Sequence, residues 1–290
     1  GLLGNDAHFN QVYRKPIEKH GDTERAHALK SRIAPFMLRR TKAQVASELP
    51  EKTEIVQLLE LESDQRNLYE SIRLVMETKV RELFVQKGVA ASQIQFLDAL
   101  LKLRQACCDA RLVPVEHARS VRSNAKLQWL RDTLPEMLEE GRNILLFSQF
   151  ASMLTLIEDE LNALGISYSK LTGQTKHRQQ QIDAFQNGDT RVFLISLKAG
   201  GTGLNLTAAD TVIHYDPWWN PAAEAQATDR AHRIGQQKKV FVYKLIASNT
   251  VEQKVQLLQQ HKRQLADQLF AGGKGQPWQG KADDLLALFS

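Results

Sequence analysis

Five apolar segments of strand length follow one another in the second half of the chain, and they constrain the fold more than any other feature. Helical segments lie between most of them, and their apolar residues are mostly continuous rather than alternating. Continuously apolar strands joined by helical crossovers are typical of a parallel sheet covered on both faces. A doubly wound α/β domain is therefore predicted for residues 123–270. The five segments are NILLFS at 143–148, ISYSKL at 166–171, RVFLIS at 191–196, TVIHYD at 211–216 and VFVYKLI at 240–246.

The first half of the chain has the pattern of helices. Apart from TEIVQLLEL at 53–61, residues 1–122 show no strand alternation. Ser63 and Ser92 are predicted to cap two packing helices, and Asn124 to cap the helix that opens the α/β domain. We therefore expect an all-helical subdomain at 51–122, a preceding segment at 1–50, and a flexible Gly-rich tail at 271–290 that ends in a short docking helix.

Composition narrows the class of protein. The chain has 290 residues with 42% hydrophobic residues, which allows a sizeable core. No apolar run approaches the length of a membrane span, so no membrane partner is expected. Cys107 and Cys108 are adjacent, which disfavours a disulfide between them, and two cysteines are too few for a structural metal site. A net charge of +5 permits a polyanionic partner without requiring one.

The carboxyl ends of the predicted strands carry the polar residues from which a ligand site could be built, because ligands bind at that edge of an open parallel sheet. No G-x-G-x-x-G follows the first strand, which argues against a dinucleotide. The glycine turn SLKAGGTGLNL lacks the Lys-Ser/Thr ending of a P-loop, so this half cannot by itself hold a nucleoside triphosphate in the usual way. The turn can equally be a tight connection in which its glycines supply positive φ.

A polar stripe is predicted on the helix after the fourth strand. Asn220 and Pro221 suit its start and Gly235 its end. Gln226, Arg230 and Arg233 are then related as i, i+4 and i+7 on one face. Two neighbouring guanidiniums without an acidic partner favour binding of an anion such as phosphate. The alternative is an ordinary solvated helix face.

Several motifs in this region carry a resemblance to a known family. LLFSQF, SLKAGGTGLNLTAADTVIHYDPWWNP and QATDRAHRIGQ resemble successive motifs in the second motor lobe of SWI/SNF-type helicase-like ATPases of helicase superfamily two. FMLRRTK upstream resembles the linker between the two lobes, and LRQACCDARLV resembles the helical insertion. The resemblance covers about residues 30–260. It implies a RecA-like second lobe, preceded at 1–50 by the end of the first lobe's helical insertion and the linker.

The resemblance also implies a nucleotide site shared with a partner lobe. ATP and Mg²⁺ bind mainly to the first lobe of such motors, and its Walker motifs are not found here, so the chain alone is expected to be inactive. Arg230 and Arg233 match arginine fingers directed at the γ-phosphate. Gln226 begins the same motif and is expected to order the cleft. Gly203 and Asn205 lie where relatives contact the nucleotide.

Duplex DNA is the second ligand that the resemblance implies. Strand-end loops are expected to donate hydrogen bonds to phosphates without reading sequence. Many relatives have Asp-Gly where this chain has Thr172-Gly173, which leaves a specific role for position 172 open. Trp219 either stacks on DNA or braces its own turn. The candidate DNA-binding residues are Ser148, Gln149, Thr172, Gly173, Ser196, Lys198, Gly200 and Trp219.

The predicted function is thus a DNA-dependent ATPase that translocates along double-stranded DNA and remodels protein–DNA complexes. Its partners are the duplex and the N-terminal motor lobe of the same protein. A strand-separating helicase, a factor that recycles RNA polymerase, and a non-enzymatic nucleic-acid-binding module remain alternatives. The location expected is the cytoplasm or nucleoid of a bacterium or archaeon, or the nucleus of a eukaryote.

Overall fold

A computed structural model gives the fold and describes residues 3, 5–20, 22–33, 49–197, 199, 204–218, 220–261 and 282–289. Four predicted site residues lie outside these ranges: Lys198, Gly200, Gly203 and Trp219. Most of the tail predicted at 271–290 lies outside them as well. The chain divides into two compact units, residues 1–48 and 49–290.

The first unit contains short helices. They are α1 (Asp6–Phe9), α2 (Lys15–His20) and α3 (Thr23–Ile33), with a π-helical turn at Asn10–Arg14 between the first two. The Tyr13 hydroxyl accepts a hydrogen bond from Arg32 Nη1 at 2.9 Å, and the Val12 carbonyl accepts one from Arg25 Nη1 at 3.0 Å. These two arginines therefore fasten α3 to the π-helical turn.

The second unit is built on one parallel sheet. Its strands are β1 (Lys52–Leu59), β2 (Ile144–Ser148), β3 (Tyr168–Leu171), β4 (Val192–Ser196), β5 (Thr211–His214) and β6 (Val240–Ala247). Their order is β1-β6-β5-β2-β4-β3, and every neighbouring pair is parallel. The five strands predicted from apolar runs are confirmed, as is the doubly wound α/β fold.

The sixth strand comes from the region predicted to be helical. TEIVQLLEL forms most of β1, which pairs along its whole length with β6, from Lys52 opposite Val240 to Leu59 opposite Ala247. Residues 51–122 therefore supply the edge of the sheet as well as helices.

Eight helices are described in the second unit. Asn124 caps α6 as predicted, because its Oδ1 accepts from Leu127 N at 3.0 Å. Ser63 is the first helical residue rather than the cap, and Ser92 donates back to the carbonyls of Leu83 and Gly88. No helix among the described residues is long and apolar enough to cross a membrane. The helices are α4 (Ser63–Lys87), α5 (Gln93–Cys108), α6 (Ala125–Glu139), α7 (Ala151–Ala163), α8 (Arg178–Gln186), α9 (Pro221–Thr228), α10 (Val251–His261) and α11 (Ala282–Leu286).

Both faces of the sheet are covered at β2, β4 and β5, whose residues are all buried, which explains why these strands are continuously apolar. On β2, Leu146 packs into a core with residues of α6 and α7, whereas the next residue, Phe147, packs into a core with residues of α8 and α9. A third core joins α4 and α5 to α10 and α11. The helical pair α4–α5 therefore has its own core beside the sheet.

The helix after β5 is shorter than predicted. It was expected to run through residue 234 but ends at Thr228, so the single stripe of Gln226, Arg230 and Arg233 is wrong. Tertiary hydrogen bonds replace the helical ladder: Thr228 Oγ1 lies 2.9 Å from His214 Nε2, and the Arg230 carbonyl accepts from Leu206 N at 3.0 Å. Tight i→i+3 bonds then continue the turn to residue 231.

Candidate functional site

The candidate site lies at the carboxyl ends of three adjacent strands. Ser148 at the end of β2 is in register with Ser196 at the end of β4, and Phe147 is in register with His214 at the end of β5. Because all three strands are parallel, the loops that follow them leave the same edge of the sheet. The structure therefore brings the described predicted residues Ser148, Gln149 and Ser196 to one edge.

Arg230 lies beneath this edge as a buried cation. Its side chain belongs to a residue that is only 7% exposed, and its Cζ lies 5.5 Å from the centre of the Phe147 ring. Among the described residues, Nη1 has no hydrogen-bond partner although it is buried. Burial lowers the pKa of Arg230 to about 10, with no neighbouring charge opposing the shift. A buried, unpaired guanidinium is costly unless an anion binds to it.

Arg233 and Asn205 lie on two segments whose backbones are hydrogen-bonded to each other at Arg230 and Leu206. The Arg230 carbonyl is bonded to Leu206 N, and Arg233 Nη1 donates to the Leu204 carbonyl at 3.5 Å. Both Arg233 and Asn205 are exposed. The predicted nucleotide residue Asn205 and the two predicted finger arginines are thus close in the fold, although they are 25 or more positions apart in sequence.

Gln226 occupies a different surface from the one predicted. It is exposed on α9, whereas Arg230 is buried beyond the end of that helix. A common helix face therefore does not relate the two side chains. The role of Gln226 in ordering the cleft remains a prediction.

Ser148 and Gln149 converge on the buried carboxylate of Asp216. The Ser148 hydroxyl donates to Asp216 Oδ1, and Gln149 N donates to Asp216 Oδ2 at 3.2 Å. Burial raises the Asp216 pKa, and the nearby Arg104 and Ser148 oppose that shift. Since Ser148 is fully buried with an internal acceptor, its observed role is to fix this carboxylate. Contact of Ser148 or Gln149 with phosphate remains a prediction.

Arg104 completes this cluster and was not singled out from the sequence. Its Nη1 donates to Gln149 Oε1 at 2.9 Å and its Nη2 to the Pro217 carbonyl at 2.8 Å. Nη2 also lies 3.8 Å from Asp216 Oδ2. The partners are 45 and 113 residues away, so no local pattern indicates these contacts.

The remaining predicted DNA residues lie on two further strand-end turns. Thr172 N donates to Thr175 Oγ1 at 2.9 Å, and Gly173 is exposed with open space around it. Ser196 Oγ is buried and accepts from Ala199 N at 3.2 Å. A second residue missed by the sequence analysis, Arg178, donates from Nη2 to the Ala199 carbonyl at 2.6 Å and so fixes the start of the glycine turn.

A chain of charged groups supports the loop that precedes α9. Glu224 is buried, and its Oε2 accepts from Trp218 N at 3.1 Å. Its Oε1 lies 2.7 Å from Lys244 Nζ, which is also 3.2 Å from Glu54. Burial lowers the pKa of the neighbouring His214 to about 4, so its ring is neutral at physiological pH. The hydrogen bond from Trp218 N to Glu224 therefore fixes the backbone of Trp218.

Two family models match the chain. The helicase conserved C-terminal domain matches residues 125–235, and the SNF2-related domain matches residues 1–112. The putative ATP-dependent helicase/translocase YwqA of Bacillus subtilis is 37% identical over 93% of the chain. The curated relatives are longer proteins: the chain spans 30% of YwqA and 25% of two Mycoplasma ATP-dependent helicases.

Solved structures of an archaeal relative match both the fold and the sequence. The Sulfolobus solfataricus SWI2/SNF2 ATPase core in complex with double-stranded DNA is 34% identical, with a TM-score of 0.65 over 94% of this chain and 57% of that one. The C-terminal domain of the same ATPase is 30% identical, with a TM-score of 0.61 over 77% of this chain and 91% of that one. This chain belongs to the SWI2/SNF2 family of helicase-like ATPases.

Proposed function

We propose that this chain provides the second motor lobe of an ATP-dependent translocase that moves along double-stranded DNA and remodels protein–DNA complexes. The observation that carries the proposal is Arg230, a buried guanidinium near the carboxyl end of β2 whose Nη1 has no partner among the described residues. A cation in that state suits an anion that arrives from outside the chain. The γ-phosphate of ATP held by a first motor lobe is such an anion.

In this proposal, Arg230 and Arg233 reach the nucleotide when the two lobes close. Both guanidiniums stabilise the charge that develops on the transferred phosphoryl group, a contribution of about 10³ to 10⁵ in rate for arginine fingers. Gln226, Gly203 and Asn205 order the nucleotide side of the cleft. ATP brings Mg²⁺ with it, and the first lobe supplies most of the contacts to both.

The loops at the carboxyl edge grip the DNA backbone in the same proposal. Gln149, Thr172 and Gly173 are at least partly exposed at the ends of β2 and β3, as a phosphate contact requires. Lys198, Gly200 and Trp219 add donors and an aromatic surface. ATP-driven closure of the lobes then moves the grip along the duplex in small steps. The duplex bound to the archaeal ATPase core supports DNA as the track.

The test uses the chain joined to a first motor lobe, with ATPase turnover measured with and without duplex DNA. Wild-type protein should be stimulated by duplex, and Arg230→Gln or Arg233→Gln should each lower kcat at least 10³-fold while duplex binding persists. Arg131→Gln is the matched control, because Arg131 is an exposed arginine of α6 that pairs with Glu160 of α7. Its kcat should be unchanged.

Three outcomes would contradict a part of the proposal. Turnover independent of DNA would remove the coupling between nucleotide and track. Displacement of a strand from the duplex would indicate a helicase rather than a translocase. Duplex binding with no ATPase in the two-lobe protein would indicate a non-enzymatic binding module.

A further inference from the structure

One buried cation connects the helical pair α4–α5 to two loops of the candidate DNA-binding edge. Arg104 lies in α5 and is 3% exposed. It donates to Gln149 Oε1 in the loop after β2 and to the Pro217 carbonyl in the loop after β5. These two strands are neighbours in the sheet, so one guanidinium spans the gap between their loops.

The two loops are also joined through Asp216. Its carboxylate accepts from the Ser148 hydroxyl and from Gln149 N, and it lies 3.8 Å from Arg104 Nη2. The Arg104 Cζ packs 5.8 Å from the centre of the Phe150 ring, so the guanidinium is also held from the side of α7. The spacing of the loops therefore depends on a fork with donors at fixed angles, which a lysine cannot reproduce.

The contact with Arg104 also decides which way the Gln149 amide faces. A guanidinium has donors only, so the amide must direct its oxygen towards Arg104. Its Nε2 then has no hydrogen-bond partner among the described residues and is covered from solvent. Because this donor is covered, it pairs with a phosphate only when the loop after β2 shifts on binding, and the cost of leaving a buried donor unpaired favours that shift.

We propose that Arg104 is a positioning residue for duplex DNA: it orients the Gln149 amide towards a backbone phosphate and sets the distance between the loops after β2 and β5. Arg104 is itself too buried to touch the duplex. The inference rests on the proposed function, because it assumes that this edge binds DNA. It extends that function by making the helical pair α4–α5 a determinant of DNA affinity.

The experiment measures the Kd of this 290-residue chain for a fluorescent duplex of random sequence at several salt concentrations. Arg104→Lys should weaken binding about 5- to 10-fold, comparable to the loss of one ordinary hydrogen bond. Arg104→Met, which removes the charge, should leave the slope of log Kd against log salt unchanged, because Arg104 does not neutralise a phosphate. A direct phosphate contact at Arg104 would instead reduce that slope by about 1 in Arg104→Met.

A double-mutant cycle identifies the route of the effect. Gln149→Ala should weaken binding to a similar extent, and adding Arg104→Lys to it should cause little further loss, because the two residues act in one contact. Gln149→Ala leaves α5 untouched, so it keeps the test decisive if Arg104 variants fold poorly. An unchanged Kd in Gln149→Ala, or independent effects that multiply, would overturn the proposal.

Arg66→Lys is the matched control. Arg66 of α4 also donates from both Nη atoms to backbone carbonyls of a strand-end loop, at 2.9 Å to Ser248 and 3.1 Å to Asn249. That loop follows β6 and has no predicted DNA residue. The Kd of Arg66→Lys for duplex should therefore match that of wild type, even if the melting temperature of the variant falls. If Arg104→Lys behaves like Arg66→Lys, Arg104 is only structural. If wild-type protein fails to bind duplex at all, the proposed function fails and this inference with it.

Discussion

The Lys126 ammonium and the Glu252 carboxylate form an ion pair in which neither side chain is exposed, with Nζ 2.8 and 2.7 Å from the two carboxylate oxygens. Nζ also donates to the Tyr215 carbonyl at 2.9 Å, and Glu252 Oε2 accepts from Ala247 N at 2.9 Å. Burial lowers the Lys126 pKa, but Glu252 outweighs it and the net shift is upward. The pair fastens α6, the end of β5 and α10 to one another.

Breaking this pair on one side should destabilise the fold strongly. Lys126→Met leaves the Glu252 carboxylate buried without its cation, and we expect the free energy of unfolding to fall by about 3 to 5 kcal/mol. Urea denaturation measures this change in the free energy of unfolding. Lys126→Met with Glu252→Leu should recover most of the loss, because no buried charge is then left unpaired. Arg131→Ala, which breaks an exposed pair with Glu160, should cost at most about 1 kcal/mol.

His214 should make stability depend on pH in a defined window. Burial lowers its folded-state pKa to about 4, below the ordinary value of 6.5. The unfolded chain therefore binds a proton at a higher pH than the folded chain does. The contribution of His214 is complete above pH 6.5 and is lost as the pH falls towards 4, up to about 3 kcal/mol in total.

The measurement for His214 is the free energy of unfolding at several pH values in wild type and in His214→Gln. Other groups titrate in the same range, so the difference between the two proteins isolates the histidine. The difference in the free energy of unfolding between the two proteins should change between pH 6.5 and pH 4 and should be constant above pH 6.5. A constant difference across the whole range would contradict the low pKa.

Substitution by alanine should lower the stability of the fold at Gly235 but not at Gly173. Gly235 has φ of +99°, which L-residues rarely adopt, and the nearest atom to an added Cβ is 4.0 Å away. Gly235→Ala should therefore cost about 1 to 2 kcal/mol through backbone strain alone. Gly173 has neither a positive φ nor a close neighbour, so Gly173→Ala should leave unfolding nearly unchanged. Thermal melts compare them, and equal losses would contradict the argument.

Gly173→Ala then separates binding from folding at the predicted DNA edge. Because the variant keeps its stability, a rise in its Kd for duplex reports on the Thr172–Gly173 turn itself. We expect a rise of a few-fold, since a methyl group keeps a phosphate from the backbone N–H groups. An unchanged Kd would remove Gly173 from the proposed contacts.

Apolar runs predicted β2 and β4 well because every residue of these two strands is buried. The runs that end at Ser148 and Ser196 became these strands, each one residue shorter at its start than predicted. TEIVQLLEL stood out as a strand pattern, but alternation does not reveal a partner almost 190 residues away. The apolar and polar pattern also predicts an α9 that is longer than the observed helix. The helix ends at Thr228 because Thr228 and Arg230 form hydrogen bonds with His214 and Leu206, which are distant in sequence.

Sequence patterns predict a candidate site residue where the site residues cluster in sequence, and they miss it where the residues lie far apart. Arg230, Arg233 and the strand-end loops could be proposed as site residues because each belongs to a continuous motif. Arg104 and Arg178 were missed because an arginine in a helix ordinarily indicates a solvated face. Their contacts with Gln149 and Ala199 form only when distant loops meet at one edge of the sheet.

Two buried arginines should have opposite effects on stability when they are replaced by methionine. Arg104 donates to Gln149 and to Pro217, so Arg104→Met leaves two partly buried acceptors without their donor and should lower the free energy of unfolding by about 1 to 3 kcal/mol. Arg230 is buried with Nη1 unpaired among the described residues, and burial lowers its pKa to about 10, which leaves it cationic at neutral pH. Arg230→Met removes that cost and should stabilise the chain by about 1 kcal/mol, after the lost contact with the Phe147 ring is counted.

The same Arg230→Met substitution should abolish ATP turnover in the two-lobe protein. A residue needed for catalysis can destabilise the fold when its site is preorganised to bind a charged ligand. In this proposal the ligand is the γ-phosphate of ATP. Urea denaturation of both variants, beside ATPase assays, measures the two effects together. If Arg230→Met lost as much stability as Arg104→Met, the Arg230 guanidinium would be serving the fold, and the reason for assigning it to a phosphate would be gone.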